Sequence, residues 1–296
     1  MRALIIGGDG AIGRALKDKL ESRQDTVFFT TRRPVPVQGN ALHLDLASSE
    51  AETARLPQAD IVFFCAAITG FAACRNDREL AERVNFSAPS VLARRLVDAG
   101  SRVVFLSSNA VFDWREPHVP ASREPRPVTE YGHFKAKAEK EFSALGSAAS
   151  ILRLSKVLRS DDRLFNGWID DFNKKKTINA YADHRFAPIS LADTIDSLVA
   201  ISQGRDGGMF QMSGARDISY FDAARRLASL TNADPKLVFS IKATDRGVPA
   251  NEIIHNSTLD SSRLTALTGW TPKDPLSVID DVFRERIGRP VATDRL

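Results

Sequence analysis

The chain reads as an α/β protein built on a doubly wound parallel sheet, with a smaller lobe supplied by its C-terminal half. Three observations carry this. A short apolar strand runs straight into a glycine turn and an amphipathic helix within the first twenty residues; strand-like and helix-like patterns then alternate to about residue 155; and beyond Lys156 the alternation gives way to helical apolar stripes. Such alternation fits right-handed crossovers between parallel strands rather than hairpins. Residues 1–155, rejoined by 186–203, are therefore expected to form the sheet domain, and residues 156–296 mainly the lobe.

The first strand, Ala3-Leu4-Ile5-Ile6, leads into Gly7-Gly8-Asp9-Gly10-Ala11-Ile12-Gly13 and a helix through Leu16 and Leu20. Gly7, Gly10 and Gly13 suit a tight turn, close approach of backbone to a pyrophosphate, and packing of helix on strand, and the helix start at Ala11 and Ile12 faces the phosphates. This is the Rossmann-type signature, and it predicts a bound dinucleotide. The second strand, Thr26 to Thr30, ends in Thr31-Arg32-Arg33, where an acid would bond a ribose 2′-hydroxyl. Guanidiniums there favour a 2′-phosphate, hence NADP(H) over NAD. A third strand at Ala41–Leu44 leads to Asp45-Leu46, where a carboxylate can meet the adenine amino group. The fourth, Ile61–Phe64, ends in Cys65-Ala66-Ala67, small residues that let a flat cofactor approach. A helical pattern from about Asp77 to Ala99 carries Asn85 among apolar neighbours. The fifth strand, Val103–Leu106, ends in Ser107-Ser108-Asn109, at the strand end where open α/β sheets bind ligands. A proline-rich loop, a helix from Tyr131 to Leu145 and a sixth strand at Ile151–Leu154 follow.

Within that helix Tyr131 and Lys135 stand four residues apart and share a face. An ammonium beside a phenol favours the phenolate, which makes such a tyrosine an acid–base group near neutrality. In the lobe, Leu164, Phe165, Trp168, Ile169 and Phe172 form an apolar stripe, with Lys174-Lys175-Lys176 solvated at its end. Arg185, before a strand at Phe186–Ile189, suits a substrate pyrophosphate as well as it suits plain solvent. Helices are expected near Leu191–Ile201 and Ser219–Leu230.

Composition bounds the function. Among 296 residues, 41 Lys and Arg face 37 Asp and Glu, for a formal charge of +4 spread along the chain, so no nucleic-acid footprint is expected. The longest apolar run, Ile61 to Ile68, is far short of a bilayer span, which predicts no membrane partner and a cytoplasmic location. Cys65 and Cys74 have no paired Cys/His spacing, so free thiols and no metal are expected. Oligomeric state stays open, a homodimer among the options.

With these pieces in place the chain resembles the extended short-chain dehydrogenase/reductases, and within them the dTDP-4-dehydrorhamnose reductase group of nucleotide-sugar enzymes. The resemblance rests on Gly7, Gly10 and Gly13; Ala66-Ala67; Asn85; Ser108 within Leu106-Ser107-Ser108-Asn109-Ala110-Val111-Phe112-Asp113; Tyr131 with Lys135; Pro188-Ile189-Ser190-Leu191-Ala192-Asp193; and the later Leu259-Asp260-Ser261-Ser262-Arg263-Leu264 with Gly269-Trp270-Thr271-Pro272. It implies a catalytic Ser108/Tyr131/Lys135 triad, with Tyr131 giving a proton to a carbonyl, Ser108 polarising that carbonyl, and Lys135 binding the nicotinamide ribose. It also implies cofactor contacts at Ala66, Ala67 and Asn85, and substrate contacts at Ser108 and Asn109. Rhamnose-type reductases usually have Thr-Asp-Tyr where this chain has Ser108-Asn109-Ala110, so the sugar is left open. The implied activity is NADPH-dependent reduction of a nucleotide-activated 4-keto sugar. Two alternatives stand beside it: an epimerase or dehydratase holding NAD(P) tightly, and a non-catalytic dinucleotide-binding regulatory subunit.

Overall fold

Seven parallel strands form the centre of the computed structural model, which describes residues 1–34, 39–204 and 206–287; the end of the lobe, 288–296, lies outside the described residues. In chain order the strands are β1 (Arg2–Ile6), β2 (Thr26–Thr31), β3 (Ala41–His43), β4 (Ile61–Phe64), β5 (Arg102–Ser108), β6 (Ala149–Leu154), β7 (Val157–Leu158), β8 (Ile178–Tyr181), β9 (Arg185–Phe186), β10 (Ile189–Ser190), β11 (Gly208–Met212), β12 (Ile218–Ser219) and β13 (Val238–Ile241). The central order is β11-β6-β5-β4-β1-β2-β3. The chain therefore reverses direction across the sheet between β1 and β4, the kind of crevice where open α/β sheets hold ligands.

Helices cover both faces: α1 (Ala11–Ser22), α2 (Phe71–Asn76), α3 (Arg78–Glu82), α4 (Ala88–Asp98), α5 (Glu130–Ser143), α6 (Arg163–Asn173), α7 (Leu191–Gln203), α8 (Tyr220–Leu230), α9 (Ser262–Thr268) and α10 (Pro275–Ile287). Strand β1 shows why two layers are needed. Ala3 and Ile5 point into a core with Leu16, Leu20, Ile195 and Leu198, while Leu4 and Ile6 point into another with Leu92, Phe105 and Phe142. Side chains alternate across a strand, so a strand apolar at every position must be covered on both sides. A third core gathers Phe165, Trp168 and Phe172 from α6, Phe186 from β9, Leu227 from α8 and Phe283 from α10. Helix α7 packs on α1 instead, tied by a 2.7 Å Lys19–Asp196 ion pair.

Three local expectations change. The pattern from Asp77 to Ala99 is not one helix. Asp77 leaves helical geometry and accepts a 3.1 Å bond from Leu80 N, and Arg83–Ser87 forms a π-turn before α4. Pro89 has no N–H to return to the carbonyl of residue 85, which loosens the ladder at that turn. The strand expected at Phe186–Ile189 is split into β9 and β10 around Pro188, for the same reason. Finally, β11 is a seventh strand that the sequence pattern does not announce. It carries glycine and a buried Gln211 whose amide is held by Val119 O (2.8 Å) and Asp260 O (3.1 Å). No helix among the described residues is long and apolar enough to cross a membrane.

Candidate active site

The glycine turn is shaped by what its missing side chains would meet. A Cβ on Gly7, which has φ +92°, would lie 2.6 Å from Ala66 N, and one on Gly13 would lie 2.2 Å from Gly7 O. Gly10, the N-cap of α1, offers no side chain to the helix start, and the first turn carries no acid. The opening N–H groups of a twelve-residue helix at Ala11, Ile12 and Gly13 are thus left for a ligand, and helix N-termini favour anions. This cradle fits a pyrophosphate. Thr30 braces it from β2: its Oγ1 accepts from Gly7 N at 3.0 Å and its carbonyl from Gly8 N at 2.9 Å.

At the end of β2 the arrangement differs from expectation. Arg33 is there and largely exposed, but a carboxylate is there too: the Thr31 hydroxyl donates to Asp9 Oδ2, Arg33 N donates to Thr31 Oγ1 at 3.0 Å, and Arg33 Nε lies 3.9 Å from Asp9. The acid missing from the strand itself arrives from the glycine turn. Asp45 accepts from Ala47 N at 3.0 Å, and Leu46 is buried in the core behind it.

Ala66 closes on Gly7, with its N–H on Ile6 O at 2.9 Å. The segment after it is clamped by Asn85, which is buried at the π-turn, accepts from Ile68 N (2.9 Å) and donates to Ile68 O (3.0 Å). Through these two bonds the Asn85 amide holds the backbone of the loop after β4 and so shapes that wall.

Ser108 ends β5 and Tyr131 opens α5, and the two meet. Thr129 caps α5 by accepting from Gly132 N at 3.1 Å. The helix comes this close because position 132 has no side chain: a Cβ there would sit 2.0 Å from Ala110 O. The Tyr131 ring packs in a small cluster with Phe71 (6.1 Å between centroids), Trp114 and Phe134. Burial pushes its phenol well above the ordinary value, while the Ser108 hydroxyl, which reaches it, favours the ionised form. Ser108 Oγ in turn accepts from Ala110 N at 3.1 Å and lies 3.3 Å from Asn109 Oδ1.

Lys135 follows one turn on and is 2% exposed. Its Nζ lies 4.0 Å from the Phe105 ring centroid. Burial lowers its pKa to about 7, against the pull of Glu139 and Cys65. The helical spacing of Tyr131 and Lys135 predicts an ammonium that depresses the tyrosine. In the structure burial works on both groups, favouring neutral phenol and neutral amine together. Cys65 shows the same effect, its thiol pushed up to about 12 by burial.

Behind Lys135, Glu139 and Arg153 form a buried ion pair. Arg153 donates from Nε at 2.9 Å and Nη2 at 2.7 Å, and Ser107 Oγ adds a third bond to Glu139 at 2.5 Å. Trp114 stands out as well. It is buried at φ +57°, left-handed backbone for a bulky residue, and its indole N–H has no partner among the described residues.

The lobe holds a cavity of about 600 Å³ lined by Leu164, Trp168, Tyr181, His184, Tyr220 and Arg246, among others. Arg185 is not part of it. That side chain is exposed, and its backbone N–H is bonded to Ile254 O at 2.8 Å. The guanidinium at the cavity comes from Arg246, which no sequence pattern singles out, since it lies beyond β13 in a short turn. Burial lowers the pKa of His184, and its buried Nδ1 has no hydrogen-bond partner among the described residues.

A glycine turn with serine, tyrosine and lysine converging beside it on β5 and α5 is the arrangement that the resemblance to the extended short-chain dehydrogenases/reductases implies. The chain belongs to the family described as RmlD substrate binding domain, whose profile matches residues 1–285. It is 25% identical over 295 residues to a dTDP-4-dehydrorhamnose reductase of Mycolicibacterium smegmatis, covering 97% of this chain and 86% of that one. Among solved structures it resembles a dTDP-4-dehydrorhamnose reductase of Clostridium acetobutylicum, with TM-score 0.82, 21% identity and coverage of 97% and 99%. A Bacillus anthracis dTDP-4-dehydrorhamnose reductase solved in complex with NADP gives TM-score 0.82 at 20% identity, with coverage of 96% and 99%.

Proposed function

We propose that this chain is an NADPH-dependent reductase of a nucleotide-activated 4-keto sugar, with residues 1–155 and 186–203 holding the cofactor and the remainder mainly the substrate. The observation that carries the proposal is the meeting of Ser108, Tyr131 and Lys135 beside the Gly7–Gly13 cradle. The relatives named for this reaction, and the NADP found with one of them, support it.

Ala11, Ile12 and Gly13 would hold the pyrophosphate through backbone N–H groups, and Arg33 would reach the 2′-phosphate. NADPH, when bound, supplies the hydride. Tyr131 supplies the proton: its raised pKa keeps the phenol protonated at neutral pH, ready to be given to the oxygen of a carbonyl lying against it. Ser108 donates a hydrogen bond to the same oxygen and stabilises charge as it develops there. Lys135, at about 7, holds its proton loosely enough to restore the tyrosine afterwards. The lobe cavity, with aromatic walls and Arg246, suits a planar base carrying a diphosphate.

The test is Tyr131→Phe. Turnover of NADPH with a panel of dTDP-, UDP- and GDP-linked 4-keto-6-deoxy sugars should fall by about 10²–10⁴-fold, the usual contribution of a positioned proton donor, while NADPH binding is retained. Undiminished turnover in that variant would remove Tyr131 from the mechanism.

A further inference from the structure

We propose that Asp9, reaching from the glycine turn to the end of β2, sets the choice between NADPH and NADH by placing a carboxylate where the adenosine 2′-substituent lies. The inference rests on the reading of the Gly7–Gly13 turn as the cofactor cradle. In doubly wound folds an acid at the end of β2 bonds a ribose 2′-hydroxyl, and arginine there accommodates a 2′-phosphate. This chain has both chemistries at one place, from two different segments.

The carboxylate is held in position. Thr31, buried at the strand end, donates its hydroxyl proton to Asp9 Oδ2, and Arg33 N–H donates to the same hydroxyl at 3.0 Å, so a chain of bonds runs from the backbone of the arginine segment to the acid. The guanidinium of Arg33 is 3.9 Å from Asp9 Oδ2, and Arg14 Nη2 lies 3.5 Å from the Asp9 carbonyl. Asp9 therefore neutralises part of the charge that a 2′-phosphate would need, and repels the phosphate itself. Toward a 2′-hydroxyl the same oxygen is an acceptor. Its side chain is 39% exposed, so it remains open to a ligand while fixed at one end.

The test needs no sugar substrate. Dissociation constants for NADPH and NADH are measured from reduced-nicotinamide fluorescence on the full-length protein and on Asp9→Asn, Asp9→Glu and Arg33→Ala. Asparagine keeps an oxygen for the Thr31 hydroxyl and removes the charge, so the Kd ratio of NADH to NADPH should rise about tenfold, as expected for deleting one charge near a phosphate. Asp9→Glu should stay near the wild-type ratio, and Arg33→Ala should move it toward NADH. An Asp9→Asn ratio that is unchanged, or shifted toward NADH, overturns the proposal. Failure of the wild-type protein to bind either dinucleotide overturns the cofactor reading itself, and this inference with it.

Discussion

Lys135 and Glu139 sit one turn apart on the same face of α5, both almost fully buried, yet they are treated in opposite ways. Glu139 has two bonds from Arg153 and one from Ser107, and Arg153 spends its Nη1 on Ala121 O at 3.2 Å and Gln211 Oε1 at 3.1 Å. Lys135 has an aromatic ring and a pKa lowered to about 7. The first arrangement satisfies charge and fixes α5 to β5, β6 and β11. The second leaves a titratable group undercommitted at the carboxyl end of the sheet. Complete satisfaction marks a scaffold, and incomplete satisfaction marks a group kept available for a ligand.

The contrast can be broken most directly at Lys135. Lys135→Met should lower turnover by about 10²–10⁴-fold, yet leave stability equal or higher, because burying an amine costs free energy that a thioether avoids. Unfolding by urea checks the second half, and a large loss of stability would make Lys135 a structural group after all. Glu139→Gln should do the reverse and cost roughly 3–5 kcal/mol in urea unfolding, since Arg153 is left as an uncompensated buried charge. Turnover per folded molecule should change much less.

Acidity sharpens the comparison further. The Lys135 pKa falls on folding from the ordinary lysine value of 10.5 to about 7, so between those limits the unfolded chain binds the extra proton. Stability of the wild type relative to Lys135→Met should then rise with pH from about 7 toward 10 and level off below 7. A difference that fell across that window would contradict the neutral, buried amine. The smallest effects separate the two lobe arginines. Arg246→Ala should raise the KM for the nucleotide sugar about tenfold, the loss of one charged contact to a phosphate, while Arg185→Ala, exposed and outside the cavity, should stay within about 0.5 kcal/mol in both stability and binding. Steady-state kinetics on both variants decides this.

What the sequence reveals is what local periodicity controls. The Tyr131–Lys135 relation follows from helical spacing, and the glycine cradle follows from a strand, three glycines and a helix in immediate succession. Ser108 is legible because it ends an apolar run. Asp9 is not, since the strand end it reaches is set by the turn's backbone path and by Thr31, twenty-two residues away. Arg246 and the Glu139–Arg153 pair depend on tertiary approach between segments with no shared period. Asn85 is recognisable as a special polar residue within an apolar stretch, but its partner, the backbone of Ile68, emerges only when the π-turn rotates it inward.

Gly132 carries one more consequence. Gly132 lies in the first turn of α5, and alanine is the better helix former, so propensity alone would favour a methyl group here. The Ala110 carbonyl forbids it, at 2.0 Å from where that methyl would stand. Retreat of the helix to admit a carbon would carry Tyr131 and Lys135 away from Ser108, and misplacement of about 1 Å can cost around 10²-fold in rate. An absent atom thus acts as the gauge for the reaction distance: the chain gives up helical stability at position 132 to hold the phenol within reach of the serine.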